Sequence, residues 1–514
     1  MNPSAESTDY DVIILGGALS GSATAILLLR EHPGLRVLIL ERSTAFDRKV
    51  GEATTEVSGE FFFRRLCLAP HLLHEHLAKQ SLRMWFAADS STPFDETVEI
   101  GSRFQSRFPS FQLDRAKFDQ HLLDTARAEG ATILRPATVK SVSVPATAGT
   151  ATVTFSHNAT TQQLSARWVV DATGRAALLS KSLGLHNKLP EHPTAALWAR
   201  FRGVHDLDSP AMKKKFTRLR TTGLVSRSAA TNHLVGYGWW CWIIPLRGGD
   251  FSAGLVYDTR LFRPPSGESP AARLKAHLLT HPVGREMFCN AEPVEGDVHA
   301  RAPLPYFSSA IAGPGWHIVG DAAGFIDPLY SPGMDFCSWT CRLAFARISR
   351  ELRNQPVDLQ KINANFRESY HNWFRALYLD KYYYLGDSQL MTAAYLMDIS
   401  LFFTGPGRVS ILNAGGDDLE CLPFTGSVDR LVAKFMQFYN RRLSTIARLR
   451  HETGCYGRKN TGWQELYTEL GPGPKLLKTL RIGLTRWLAA ELHAALVLRR
   501  KNPAPAPAPA PSVA

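Results

Sequence analysis

Residues 10–41 read YDVIILGGALSGSATAILLLREHPGLRVLILE. An apolar run, Asp11 to Leu15, meets a glycine-rich turn at Gly16, Gly17, Ala18, Leu19, Ser20 and Gly21. A helical alanine-leucine segment follows from Ser22 to Arg30, then a second apolar run, Arg36 to Leu40, ending in Glu41. These are the parts of a dinucleotide site. The turn lets backbone approach a pyrophosphate, the helix start offers unpaired N–H groups and the positive end of its dipole, and an acid about 20 residues on can bind ribose hydroxyls. The usual G-x-G-x-x-G fingerprint has glycine at its third place, where this chain has Ala18. One methyl group therefore faces the phosphates.

Further along, Lys49 to Thr55 (Lys-Val-Gly-Glu-Ala-Thr-Thr) leads into a helix carrying Phe61, Phe62, Phe63 and Leu66, a glycine-containing strap that can lie against a flat ligand. His71 to Lys79 reads as helical and Ser81 to Ala88 as a strand, with Lys79 at the junction. On residue type alone Lys79 is a surface charge. Arg115 opens a helical pattern ending before Gly130, where its guanidinium can hold a phosphate or cap a carboxylate. Strands at Thr132–Leu134, Val139–Val144, Ala151–Phe155 and Ala166–Val170 close on Asp171-Ala172-Thr173-Gly174.

Between about Thr194 and Val298 the pattern changes to alternating strands, for example Ala195–Phe201, Leu234–Leu246 and Phe251–Tyr257, as in an antiparallel sheet. The run Trp239-Trp240-Cys241-Trp242-Ile243-Ile244-Pro245 holds three tryptophans, more than a plain core strand requires. The chain then reads Trp316 to Gly324 with Gly320-Asp321 at a strand end, followed by Tyr330-Ser331-Pro332-Gly333-Met334 and a helix to about Leu352. Asp321 would stand beside a ribityl chain, and the Gly333 helix start would aim donors at an anion. Later helices are expected at Phe366–Tyr384, Leu390–Phe403 and Val428–Leu449, separated by a glycine-rich loop from Thr404 to Asp418. Leu477, Leu480, Leu484, Leu488, Leu492 and Leu496 make one apolar stripe over 475–501, expected to dock on the protein itself, with peripheral membrane contact as the alternative.

The 514 residues are 45% hydrophobic and 20% charged, enough for a large globular core. A formal charge of +13 permits acidic partners, but no nucleic-acid motif accompanies the basic residues, so nucleic acid is not expected. The seven cysteines form neither an even disulfide framework nor a metal site, so no metal is expected. With no leader pattern and no apolar run of about 18 to 20 residues, a cytoplasmic location is expected, with possible placement at a membrane surface.

Three signals coincide: the first turn with Glu41, the Asp171–Gly174 stop and the late Gly320-Asp321. Together they resemble the fold shared by aromatic hydroxylases, geranylgeranyl reductases and flavin-dependent halogenases. Trp240-Cys241-Trp242-Ile243-Ile244-Pro245 matches the W-x-W-x-I-P signature of the halogenases, Val50 to Thr54 resembles their flavin strap, and Lys79 follows at close to the spacing of their catalytic lysine.

The resemblance implies an oxidoreductase of secondary metabolism. Its α/β fold would have a Rossmann-like FAD-binding domain (10–193 and 301–352), an antiparallel substrate sheet (194–300) and a mostly helical C-terminal region (353–501). Residues 1–9 and the Pro/Ala tail at 502–514 would be loose. FAD would be held by Gly16, Ala18, Leu19, Ser20, Gly21, Glu41, Arg42, Glu52, Ala53, Arg115, Gly320, Asp321, Gly333 and Met334. Trp240, Trp242 and Pro245 would lie near flavin and substrate. A separate flavin reductase would supply the reduced flavin, and oxygen with chloride or bromide would give hypohalous acid. That species would reach Lys79, whose ammonium hydrogen-bonds it or whose amine forms a haloamine, and so halogenate an electron-rich aromatic ring, free or linked to a carrier protein.

Two departures from the pattern shape this expectation. Tyr330 stands where tryptophan halogenases have a glutamate, so free tryptophan is not the expected substrate. Pro332 has no N–H for the Ser331–Gly333 halide turn, leaving Ser331 and Gly333 as halide residues. A monooxygenase or reductase on the same fold, and a flavin-binding protein without turnover, are the alternatives.

Overall fold

The computed structural model describes residues 8–102, 108–147, 149–220, 225–267, 269–405, 407, 411, 416–462, 465–468 and 474–498. The expected loose N-terminus, the Pro/Ala tail and most of the 404–418 loop lie outside these residues, although Thr8 is buried.

Strands Tyr10–Leu15 and Val37–Leu40, on either side of helix Leu19–Glu31, sit in the middle of the first sheet. In that sheet Trp316–Ile318, Thr160–Asp171, Tyr10–Leu15, Val37–Leu40 and Thr132–Leu134 run parallel side by side. Val12, Ile13, Ile14 and Leu15 are all fully buried, as parallel strands covered on both faces require. One face carries helices Leu19–Glu31, Arg115–Ala128 and Gly333–Leu352; Ala23, Ile26, Phe118, Leu122, Cys341 and Ala344 fill the contact. The other face joins the large core shared with the second sheet and the C-terminal helices.

The second sheet has the order Glu292–Arg301, Thr194–Arg202, Phe251–Asp258, Trp239–Pro245, Thr231–Gly236, Leu82–Phe86, Val98–Ser102 and Glu465–Thr468. It departs from the expected antiparallel layer in two ways. Leu82–Phe86 and Val98–Ser102 enter it from the span assigned to the cofactor domain, and the pairings of Leu82–Phe86 with Thr231–Gly236 and of Glu465–Thr468 with Val98–Ser102 are parallel. The segment read as one strand from Leu234 to Leu246 is a hairpin turning at Tyr237-Gly238, a two-residue loop that the apolar run conceals. Pleating sends Trp240, Trp242 and Ile244 toward the shared core, while Cys241 and Ile243 face helices Pro270–Thr280 and Pro282–Phe288, which strand periodicity did not reveal.

The helix expected over His71–Lys79 ends at Glu75, because Leu77–Ala78 pairs with Phe111–Gln112 instead. Helix Leu359–Leu377 also stops short of Tyr384; a 3-10 turn at Lys381–Tyr383, entered through left-handed Asp380, sends Lys381 and Tyr382 inward. Helix Ser388–Thr404 is buried almost all round and packs against Pro474–His493. The docked face of that last helix is not the leucine stripe. Leu476, Gly483, Trp487, Ala490 and Ala494 are buried, Leu480 and Leu484 are half-buried, and Leu477, Leu488, Leu492 and Leu496 are exposed. Small residues let the helices approach closely: a Cβ on Gly483 would lie 2.8 Å from Met397. Among the described residues no helix is long and apolar enough to cross a membrane.

Candidate active site

The first turn is built for backbone approach. A Cβ on Gly21 would lie 1.9 Å from the Gly16 carbonyl oxygen, and one on Gly16 would lie 2.5 Å from that of Ala172. Ala18 is tolerated because it adopts an extended conformation as the residue preceding the helix. No side chain caps that helix and no acid stands in its first turn, so its leading N–H groups remain available to an anion. Glu41 accepts hydrogen bonds from Gly17 N and Ser43 N, both at 2.8 Å, tying the turn to the end of the second strand. A carboxylate so engaged keeps lone pairs for ribose hydroxyls. Arg42 is exposed beside it.

Asp171 accepts from Thr173 N, Thr173 Oγ1 and Leu179 N and closes the far side of the turn. Gly320 N donates to Thr340 Oγ1 at 2.8 Å. Asp321 next to it is half-buried, its carboxylate raised above the usual range by desolvation, which Arg175 and Arg115 oppose. Among the described residues its carboxylate accepts no hydrogen bond. A glycine cradle that a Cβ would fill, an uncapped helix start and a free carboxylate at the strand edge fit a dinucleotide of the FAD type.

Arg115 engages a carboxylate: it grips Asp119 through three 3.0 Å bonds and donates to the Val50 and Gly51 carbonyls at 3.2 Å, so it shapes the strap. Glu52 is buried against Arg200 at 3.2 Å, and desolvation pushes its carboxyl to about 7. Ala53 bridges to Gln112. Thr55 caps helix Glu56–Glu60 and donates to Asp335 at 2.6 Å, while Ser58 N donates to the same oxygen at 3.1 Å. The strap is thereby locked to the helix that starts at Gly333. Burial raises Asp335 to about 7.

Lys79 is 7% exposed and its Nζ donates to the Thr54 carbonyl at 2.7 Å. Desolvation lowers its ammonium from the usual lysine value to about 8, and only Glu56 and Asp335 oppose the shift. The amine opens into a cavity of about 110 Å³ lined by Thr55, Glu56, Tyr330 and Asp335 on the cofactor side, with Trp373, Tyr395 and Phe402 among the residues opposite. Lys79 is therefore a buried amine on the wall of a partly open pocket that also borders the strap and the Tyr330 turn.

Tyr330 and Ser331 have φ of 68° and 61°, a left-handed pair without glycine. Such residues cost about 1–3 kcal/mol each and persist only where the surroundings enforce them. Here the enforcement is visible. Tyr330 donates to Asp398 at 3.1 Å, and Asp398 is held in turn by Lys381 Nζ at 2.7 Å and Tyr439 at 2.5 Å. Beyond this turn Pro332, Gly333, Phe336 and Asp327 border a void of about 10 Å³, room for about one water-sized species. Met334 is buried below it.

The tryptophan motif connects to the loop ahead of Gly333. Trp240 donates to Tyr382 at 2.9 Å, and Tyr382 donates at 2.8 Å to Asp327, which also accepts from His192 at 2.9 Å. Trp242 donates to Ser252 at 3.1 Å on the neighbouring strand. Pro245 is buried at the strand end. Sequence reading missed Glu56, Asp335, Lys381, Tyr382 and Asp398. The available signal for Lys381 was a single lysine in an otherwise apolar and aromatic run; Asp335 was an acid in the first turn of an identified helix.

Residues 73–384, more than half of the chain, match the family model described as tryptophan halogenase. A flavin-dependent halogenase, chlA, of Dictyostelium discoideum is 28% identical over 68% of this chain and 62% of its own length. A 1H-pyrrole-2-carbonyl-[peptidyl-carrier protein] chlorinase of Pseudomonas fluorescens is 24% identical over 76% of this chain and 86% of its own. The crystal structure of halogenase PltM in complex with phloroglucinol and FAD superposes with a TM-score of 0.71, covering 94% of this chain and 96% of that one at 19% identity, a likeness of fold.

Proposed function

The chain belongs to the tryptophan halogenase family, and from that premise we propose that it is an FAD-dependent halogenase acting on an electron-rich aromatic ring, a phenol or a carrier-linked arene, and not on free tryptophan. The observation that carries this reading is the buried Lys79, which lines one pocket together with Thr55 and Glu56 of the strap end and with Tyr330. When bound, reduced FAD supplies with oxygen the oxidising power that turns chloride or bromide into hypohalous acid. A separate flavin reductase delivers the reduced cofactor.

The chain's part is to hold, exclude water and place one cation. The Gly16–Gly21 turn, Glu41, the Glu52–Ala53 strap and the Gly320-Asp321 and Gly333-Met334 backbone would hold the cofactor. Arg115 supports the strap from behind. Ser331 and Gly333 would hold halide beside the small void. The Lys79 ammonium then donates a hydrogen bond to the oxygen of the hypohalous acid and aims its halogen at the ring, a preorganised buried charge.

The pH dependence of product formation tests the assignment. Lys79 titrates near 8 in the folded chain, so the ammonium predominates below that pH and is lost above it. Halogenation is expected to be level below about pH 8 and to fall by about tenfold per pH unit above it. A rate that rises through pH 8 to a plateau would contradict the ammonium role and assign the chemistry to the neutral amine.

A further inference from the structure

The polar groups around the Lys79 cavity are engaged, with one exception. Lys79 donates to Thr54, Ser110 Oγ to the Lys79 carbonyl, Thr55 to Asp335 and Tyr330 to Asp398. Ser81 also lines this cavity, is 8% exposed, and its hydroxyl has no hydrogen-bond partner among the described residues. A buried hydroxyl without a partner is costly, and restoring one partner recovers that cost.

The backbone aggravates the expense. Ser81 has φ of 87°, a conformation that favours glycine. It is fixed from both sides: Gln80 N donates to the Ala229 carbonyl at 2.9 Å, and Thr231 N donates to the Ser81 carbonyl at 3.1 Å. A strained residue with an unsatisfied, buried hydroxyl therefore lines the pocket that Lys79 also lines, two positions along the chain from it. The remaining surroundings, Leu82, Trp373, Leu377, Ile399, Phe402 and Phe403, are apolar and suit the body of a ring.

We propose that the Ser81 hydroxyl is the hydrogen-bond partner of a ring substituent on the substrate, so that the site takes an arene carrying a free hydroxyl and the Ser81 contact selects which ring carbon meets Lys79. This deepens the halogenase reading and rests on it for the identity of the reacting atom, but the binding claim stands on the cavity alone. The substrate class is then a phenol held at one end by its hydroxyl, with the activated carbon beside that hydroxyl or across the ring from it turned to the amine.

The test uses the full chain and three ring compounds in which methyl replaces hydroxyl stepwise: resorcinol, 3-methylphenol and 1,3-dimethylbenzene. Binding is measured by calorimetry without turnover, for the wild type, Ser81→Ala and Ser81→Gly. The glycine variant removes the hydroxyl while relieving the left-handed strain, so it stays folded if the alanine variant does not. The wild type is expected to prefer resorcinol over 1,3-dimethylbenzene, and both variants to lose about tenfold of that preference. The ratio of positional isomers in the halogenated resorcinol is expected to shift in the same variants. An unchanged preference in Ser81→Gly, or no preference in the wild type, overturns the proposal. Loss of the preference in a protein that never incorporates halogen would support the hydroxyl contact and overturn the halogenase reading alone.

Discussion

Lys79→Ala is expected to lower halogenated product by about 10³-fold or more while FAD binding, followed by flavin fluorescence, stays at its wild-type value. The size of the effect follows from the site. On the proposed reading one buried cation donates to the hypohalous acid, and removing a positioned proton donor of this kind costs about 10²- to 10⁴-fold. Glu56 and Asp335 are acids and cannot replace an ammonium, and Ser81 and Ser110 carry no charge. The cofactor cradle is untouched by the substitution. The strap keeps its bonds through Thr54 and Phe111 backbone groups, the Thr54 Oγ1 bond from Phe111 N at 2.7 Å, and the Thr55–Asp335 lock. Loss of FAD along with activity would reassign Lys79 to holding the strap, and retained halogenation would remove its role altogether.

Lys381→Ala is expected to cost about 3–5 kcal/mol of stability, read as a lower midpoint in chemical denaturation. Lys381 and Asp398 form an ion pair at 2.7 Å with side chains only 1% and 4% exposed. Removing the cation leaves the carboxylate in the core with only the Tyr330 and Tyr439 hydroxyls as partners. A buried pair itself adds little over an apolar pair of the same volume, whereas a stranded charge is expensive. The double variant Lys381→Met/Asp398→Leu removes the stranded charge but leaves the Tyr330 and Tyr439 hydroxyls without this acceptor, so it is expected to recover only part of the loss in stability. It should not recover function, because Tyr330 loses the acceptor that helps hold the left-handed turn ahead of Gly333. A loss below about 1 kcal/mol in Lys381→Ala would show that the pair is not a sealed part of the core.

These two lysines also mark what the sequence could and could not convey. The glycine turn and its strand–helix–strand frame were readable because their signals are local: a short continuous apolar strand, glycines whose Cβ atoms would strike Ala172 and Gly16, and an acid at the next strand end. The tryptophan motif was readable as a pattern, but its wiring was not. That Trp240 reaches Asp327 through Tyr382 depends on residues up to 142 positions apart. Lys79 was conspicuous only by resemblance, since nothing in its own neighbourhood announces burial. Lys381 was hidden inside an expected helix that instead stops at Leu377 and turns.

The misread stripe on the last helix has a different cause. Hydrophobic periodicity finds the row of largest side chains, whereas close helix packing against Ser388–Thr404 selects the row containing Gly483, Ala490 and Ala494. The second sheet defeated division of the chain into segments for a related reason. Strand order in space is set by pairing, so Leu82–Phe86 and Val98–Ser102 join strands more than a hundred residues later. That crossing places Lys79 and Ser81, which immediately precede Leu82, at the seam between the two sheets.

The most direct measurement is the mass of the product formed when the full chain is supplied with FAD, a flavin reductase with NADH, oxygen, bromide and resorcinol. The expected result is brominated resorcinol, dependent on bromide and absent with Lys79→Ala. Hydroxylated resorcinol formed at the same rate with and without bromide, or no product from a chain that has bound FAD, would contradict it.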